Sequence, residues 1–261
     1  MPTVKNISLK KHAENAILSP LKISLVIPAF NEERLLAASL AKIQTAAAAF
    51  ARRGWTVELI VCDNNSTDKT AAIAAAAGAT VVFEPINQIA RARNCGAAAA
   101  TGDWLVFVDA DSHPSAELFD DVAGEILAGR CLAGGATIRL DEKMFVASVI
   151  TQIWNLSSRL GRLMAGSFIF CETAAFREIG GFSHELFVAE ELDLSQRLKR
   201  LGAQKGRKLV ILHRHPLVTS ARKMHLYTAR EHLRFLWLAV FRQRQTLGSR
   251  QASYLWYDGR R

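Results

Sequence analysis

Residues 104–111 read Trp104-Leu105-Val106-Phe107-Val108-Asp109-Ala110-Asp111, an apolar run that ends in two acids. A buried parallel strand is written as such a run, and ligands of open α/β sheets bind just beyond the carboxyl ends of strands. Residues two apart in an extended segment point the same way, so Asp109 and Asp111 can both face one hard divalent cation and the phosphates it carries. The plainer reading is an Asp pair in a turn that caps the following helix. Three further groups have suitable chemistry. Asp63 closes another apolar run, Arg91 and Arg93 stand in QIARARN, and Glu190-Glu191 opens a charged segment.

The elements around these residues alternate. Apolar strands are expected at Ile23–Ala29, Trp55–Cys62, Thr80–Phe83 and Trp104–Val108, with helices at Glu33–Arg53, Lys69–Ala77 and Gln88–Ala100 between them. Asn31 is read as the cap of the first helix, and the cluster Asp63-Asn64-Asn65-Ser66-Thr67-Asp68 as the turn that opens the second. Short βα connections of this kind build a parallel sheet whose strand ends gather along one edge, which places Asp63 and Asp109 on that edge. Beyond Asp111 the pattern is less regular. Helices are expected at Ser115–Ala128, Met144–Met164 and Glu190–Leu201, and strands at Cys131–Leu140, Ser167–Cys171 and Leu209–Leu212, with a turn at Gly180-Gly181-Phe182.

Composition narrows the class. The chain has 261 residues, half of them hydrophobic, enough for one large α/β domain. We divide it into a polar segment at 1–20, a main domain at 21–220 and a basic helical extension at 221–261. Cys62, Cys95, Cys131 and Cys171 lie far apart without a C-x-x-C pair, which argues for reduced, mostly buried thiols rather than a zinc site or disulfide framework. The first twenty residues lack the apolar core of a signal peptide and no run approaches the roughly 18 apolar residues of a membrane span, so a cytoplasmic protein is expected. After Ser195 the only acids are Glu231 and Asp258. That basic tail, with the apolar run 233–241, suits peripheral contact with the inner face of a membrane, or a helix packed on the domain with its charges in water. No nucleic-acid partner is expected.

Four segments in one order, ISLVIPAFNEE, VCDNNSTDKT, GDWLVFVDADSHP and GGF followed by AEELDLSQRLKRLG, resemble family-2 glycosyltransferases. The resemblance covers roughly residues 23–220. It implies an α/β fold of GT-A type, a Rossmann-like, mostly parallel sheet flanked by helices, with the basic helical extension appended. It also implies a nucleoside-diphosphate sugar donor, a UDP- or GDP-sugar. Pro28 and Ala29 match positions whose backbone lines the nucleotide pocket, with Glu32 beside them. Asp63 matches the acid that binds the base, and Asn64 stands where many relatives carry a second Asp. Asp109 and Asp111 match the D-x-D pair that holds Mg2+ or Mn2+, Asp111 directly and Asp109 toward the ribose or a metal-bound water.

The same resemblance places Arg91 or Arg93 against the diphosphate or base. The two lie about 200° apart on a helix, so they cannot both face it. Glu191 matches the general base that deprotonates the acceptor, although relatives usually carry Asp there. Glu190 and Asp193 stand by as substitutes, while Glu190, Asp193 and Arg197 are also spaced to pair along a solvated helical face. His213 or His215 is a candidate additional metal ligand, with a plain polar loop as the alternative, and Arg222 and Lys223 are candidate clamps on the diphosphate. The implied reaction is sugar transfer to an acceptor hydroxyl on a saccharide, lipid or small metabolite, metal-dependent and inverting, with retention, which the same fold also supports, left open. A nucleotidyltransferase of related fold is disfavoured by PAFNEE in place of a glycine-rich basic loop. A noncatalytic nucleotide-sugar-binding or scaffolding protein is the other alternative.

Overall fold

The computed structural model describes residues 20–142 and 145–221. Strands β1 (Lys22–Ala29), β2 (Thr56–Asp63), β3 (Thr80–Phe83) and β4 (Trp104–Val108) alternate with helices α1 (Leu36–Ala51), α2 (Thr70–Ala76) and α3 (Ile89–Ala99). The β1–β2, β2–β3 and β1–β4 ladders are all parallel. The spatial order is β3-β2-β1-β4, so the chain builds outward from β1 on one side and returns to its other side for β4. That reversal is a topological switch point, where a crevice opens beyond the strand ends. The β1–β4 ladder stops at Val26 and Phe107, whereas β1 continues beside β2 until Ala29 lies opposite Asp63. Pro28 therefore stands past the last rung to β4, where its missing N–H costs no ladder bond.

The second half adds β5 (Ser112–His113), α4 (Ala116–Ala128), β6 (Cys131–Leu140), α5 (Phe145–Gly161), β7 (Phe168–Glu172), α6 (Thr173–Glu178), α7 (Glu190–Gln204) and β8 (Lys208–Thr219). β7 enters antiparallel between β4 and β6, β8 runs parallel to β6, and β5 pairs antiparallel with the end of β8. Two differences from the sequence pattern stand out. The last strand extends past Leu212 to Thr219, because pairing with β6 resumes at Leu217 after the irregular stretch His213-Arg214-His215-Pro216. The short α6 has too few residues to show a period.

Alternation along the central strands divides the core in two. Ile23, Leu25, Ile27, Val106 and Val108 face α1 and α4 through Leu40, Ile43, Phe50, Phe119 and Val122. Val26, Leu105 and Phe107 face α3, α6 and α7 through Ala97, Phe176, Leu194 and Leu198. Burial on both faces is why these strands read as continuous apolar runs. α3 presses close on the sheet: a Cβ added at Gly96 would lie 2.5 Å from Val26 Cγ1.

Asn31 does not cap α1, which begins five residues later at Leu36 without a side-chain cap. It adopts a left-handed conformation (φ 52°) and its Oδ1 accepts from the Thr67 N–H, while its own N–H donates to Ser66 Oγ. The Glu32 N–H donates to Thr70 Oγ1 and the Glu33 N–H to Asp68 Oδ2. The polar residues of the two loops thus satisfy each other's backbone and fix the ends of β1 and β2 together.

Candidate active site

The crevice is bordered by the ends of β1, β2 and β4 and by the start of α7. Asp63, buried, accepts the Ser66 N–H on Oδ1 (3.0 Å). Asn64, next to it, donates its amide to the carbonyls of Glu84 and Ile86 and accepts the Gln88 N–H on Oδ1. An ionised Asp could make neither donor bond, so the departure from the family's second Asp ties the loop before α3 to the end of β2. Pro28, Ala29 and Glu32 lie along the neighbouring edge, where the Ala29 carbonyl accepts the Asn64 N–H.

Beyond β4, one oxygen of Asp109 is held at 2.9 Å by Arg93 Nη2. Asp111 is buried, its carbonyl accepts the Ser220 N–H, and among the described residues no hydrogen bond reaches its carboxylate. The donor set is carboxylate oxygen throughout, which suits Mg2+ or Mn2+ and not a thiophilic metal. Among the described residues no group of three or more His, Cys, Asp or Glu side chains is assembled to hold a metal. A pair of carboxylates completed by substrate phosphates is the usual arrangement for Mg2+, so Asp109 and Asp111 fit such an ion.

Arg93 is the centre of the site. Its side chain is 1% exposed; Nη1 donates to Glu190 Oε1 (2.6 Å) and Nη2 to Asp109 Oδ1 and the Gly166 carbonyl (2.7 Å). The guanidinium also lies over the Phe182 ring, 5.3 Å from its centroid, while Nε is buried without a partner. Burial opposes the charge, but Asp109, Glu190 and Glu191 hold the arginine above its ordinary pKa. Arg93 thus lies sealed beneath the acids. Arg91, on the other side of α3, is half-buried and donates from Nε to Gln88 Oε1.

Glu190 and Glu191 start α7 directly after Ala189, whose left-handed backbone (φ 64°) is strained for a residue with a Cβ. Glu190 points inward to Arg93 and takes no part in the solvated face, where Asp193 and Arg197 form the i,i+4 pair without it. Glu191 is left as the acid not bound by a salt bridge. Burial and the neighbouring Glu190 charge push its pKa up to about 8. Its carboxyl and the Arg93 guanidinium both crowd Gly166: a Cβ there would lie 3.3 Å from Arg93 Nη2 and 3.6 Å from Glu191 Cδ.

His213 stands in the irregular stretch between Leu212, paired with Ala136, and Leu217, paired with Ile138, whereas Asp111 meets Ser220 just beyond the end of β8. His213 lines a cavity of about 760 Å3 between α5 and β8 with Asn155, Gln152 and Arg159. His215 pairs with Asp121 instead (3.0 Å). Arg222, Lys223 and the expected helical extension lie outside the described residues. So does all of the N-terminal segment before Pro20.

Several residues that position the site carry no chemical signature in sequence. Ser195 Oγ donates to the Glu191 carbonyl and accepts the Met164 N–H, joining α7 to the segment that holds Gly166. Gln88 Nε2 donates to the carbonyls of His184 and Leu186, and the Asn94 amide exchanges two bonds with the Phe182 backbone, fastening the loop before α7. The spacing of Gln88, Arg91 and Asn94 about α3 was the available signal, since polar residues three apart share a face.

The sequence profile described as Glycosyl transferase family 2 matches residues 24–177. The chain belongs to this family. An uncharacterized glycosyltransferase of Mycobacterium tuberculosis is 36% identical over 113 residues, 43% of this chain and 47% of the relative. Another, from Rickettsia typhi, is 33% identical over 101 residues, 39% of this chain and 32% of the relative. The chain thus spans less than half the length of these curated relatives. The fold is that of solved GT-A enzymes. A mannosyltransferase from Pyrobaculum calidifontis in complex with GDP-Man and Mn2+ superposes with a TM-score of 0.65 at 17% identity, over 87% of this chain and 64% of that one. Glucosyl-3-phosphoglycerate synthase from M. tuberculosis, in complex with Mn2+, UDP and glucosyl-3-phosphoglycerate, superposes at 0.57 and 19% identity over 92% and 85%. The family match covers all of the crevice except α7.

Proposed function

We propose that this protein transfers a sugar from a nucleoside-diphosphate sugar to an acceptor hydroxyl with inversion at the anomeric carbon. The observation that supports this reading is the Arg93 bridge from Asp109, in the D-x-D pair with Asp111, to Glu190 at the start of α7, next to Glu191. Asp63, with an oxygen left over from its turn, binds the base at the end of β2, and the backbone of Pro28 and Ala29 lines the same edge. Asp111 and Asp109 are the residues that hold a divalent cation, which when bound neutralises charge on the leaving diphosphate. Glu191 accepts the acceptor's proton. Its raised pKa suits that task, because a base titrating near neutral pH combines availability with driving force. A single displacement from the face opposite the diphosphate inverts the centre.

Thermal unfolding with UDP- and GDP-sugars, each with and without Mn2+ or Mg2+, tests the donor half. A true donor raises Tm in proportion to its affinity, and the rise depends on the cation. In Asp111→Asn the cation dependence and turnover are both lost; turnover at the parent rate in that variant defeats the metal assignment. The anomeric configuration of the glycoside product, read by NMR and compared with that of the donor, distinguishes inversion from retention.

A further inference from the structure

Helix α5 is turned inside out. Its side toward the protein is small and polar. Ala147 and Ser158 are buried there, Thr151 Oγ1 donates to the Ala147 carbonyl, and Ser158 Oγ donates to that of Leu163. Asn155 accepts the Ile138 N–H and donates to the Ile138 carbonyl, satisfying the backbone where a bulge interrupts the β6–β8 ladder. Its outer side carries Phe145 (85% exposed), Val149 (42%), Ile153 (62%), Leu156 (58%) and Leu160 (79%). Steps of four, four, three and four residues place these five on a single stripe about 25 Å long. A surface helix ordinarily turns such a stripe to the core. Contiguous apolar surface of several hundred Å2, as large as the biggest patch on a typical monomer, marks a place of contact.

The charge around the stripe says what kind of contact. No acid occurs within α5; Arg159 flanks the stripe, Arg162 follows the helix, and Lys199 reaches from α7 to the Gly161 carbonyl at its end. The acids Asp141 and Glu142 stand at the opposite end, before the helix. The remainder of the chain, 222–261, holds nine Lys and Arg against Glu231 and Asp258. That segment would bring like charge against Arg159 and Arg162. An anionic lipid surface complements the basic end of the helix, and it accepts apolar side chains at the depth of the headgroups.

We propose that α5 is a membrane-contact helix, its Phe145–Leu160 stripe resting in the interface of an anionic bilayer with Arg159 and Arg162 at the headgroups. The Ala221 N–H donates to Asp141 Oδ1 and the Ser220 N–H to the Asp111 carbonyl, so the helix start adjoins the rim of the donor crevice. A bilayer on α5 therefore lies beside the site.

Co-sedimentation of the full chain with phosphatidylglycerol-containing and pure phosphatidylcholine vesicles tests this without any turnover. The parent protein is expected to bind the anionic vesicles, weakly in 0.5 M salt, where the Debye length falls to roughly 4 Å from about 10 Å at 0.1 M, and to ignore the zwitterionic ones. Replacing two exposed stripe residues, Ile153→Asp with Leu160→Asp, is expected to cut anionic partitioning by about tenfold or more while leaving the thermal unfolding and its response to nucleotide-sugar unchanged. Undiminished binding by the variant overturns the proposal, as does failure of the parent to bind. A parent dimer that the substitutions convert to monomer assigns the face to a second copy and overturns it too. So does protection of residues 222–261 from protease, without lipid, that the substitutions abolish.

Discussion

Methionine in place of Arg93 removes the guanidinium while keeping an apolar stem against Phe182. It leaves Glu190, 5% exposed, and Asp109, 21% exposed, without their cation. Removing one partner of a buried ion pair costs roughly 3–5 kcal/mol, most of it the penalty of the uncompensated charge. Asp109 keeps some access to water, so Glu190 dominates, and the loss should be about 4 kcal/mol. Against a total stability of about 5–15 kcal/mol this is severe. At about 2–4 °C per kcal/mol for a domain of this size, Tm falls by about 8–16 °C. Burial already pushes the Glu190 carboxyl up, and without Arg93 it rises further. An acid raised in the folded state favours folding while protonated and loses that advantage as pH rises, so the deficit of Arg93→Met shrinks toward acid pH. Urea unfolding followed by circular dichroism at pH 5 and pH 7 measures both effects. Adding Glu190→Gln removes the stranded charge and should recover half of the loss or more. Arg93→Lys should not recover it, because a point charge cannot reach three acceptors as the planar fork does. The reasoning fails if Arg93→Met loses less than about 1 kcal/mol, or if the two substitutions simply add to within about 0.5 kcal/mol.

Two further outcomes follow from single residues. Glu191 binds its proton more tightly in the folded protein, at about 8 against an ordinary 4.5, so its contribution to stability is present below about pH 4.5 and lost as pH rises through 8; Glu191→Gln flattens that slope in pH-dependent unfolding. Because transfer needs the carboxylate, kcat/KM of the parent should climb through pH 8, and Glu191→Gln should bind donor normally yet lose both that limb and turnover; parent-rate transfer removes Glu191 as base. Asn64→Asp sets a carboxylate against the carbonyls of Glu84 and Ile86 and should cost about 1–3 kcal/mol in thermal unfolding, with an unchanged Tm refuting the bridging role.

Much of this site was legible in the chain because its signals are local. The run Trp104–Val108 must be buried on both faces, and the acids after it must then stand at a strand end. The same logic brings Asp63 beside Ala29, since parallel pairing aligns equivalent ends. Asn31 was misjudged for an equally physical reason. A polar residue ahead of an apolar helix resembles a cap, and only the neighbouring loop reveals the competing partner at Thr67, thirty-six residues on. The place of His213 is equally non-local, since it is set by how Leu212 and Leu217 pair with β6 on either side of it.

By itself the sequence determined the alternation of strand and helix, the crevice at the sheet's reversal and the carboxylates that line it, since side-chain periods of 2 and 3.6 are set by residues a few positions apart. It also determined that only one of Arg91 and Arg93 could face the site. Which one, and toward what, was decided by tertiary structure, because Arg93 meets Glu190 across ninety-seven residues and only the packing of α3, α7 and β4 sets that distance. Packing likewise reversed β7 and turned the apolar stripe of α5 outward. An amphipathic pattern specifies that a helix has two faces; which face meets the protein depends on the surface it lands on, and here a bulged strand offered polar backbone that Asn155 could satisfy.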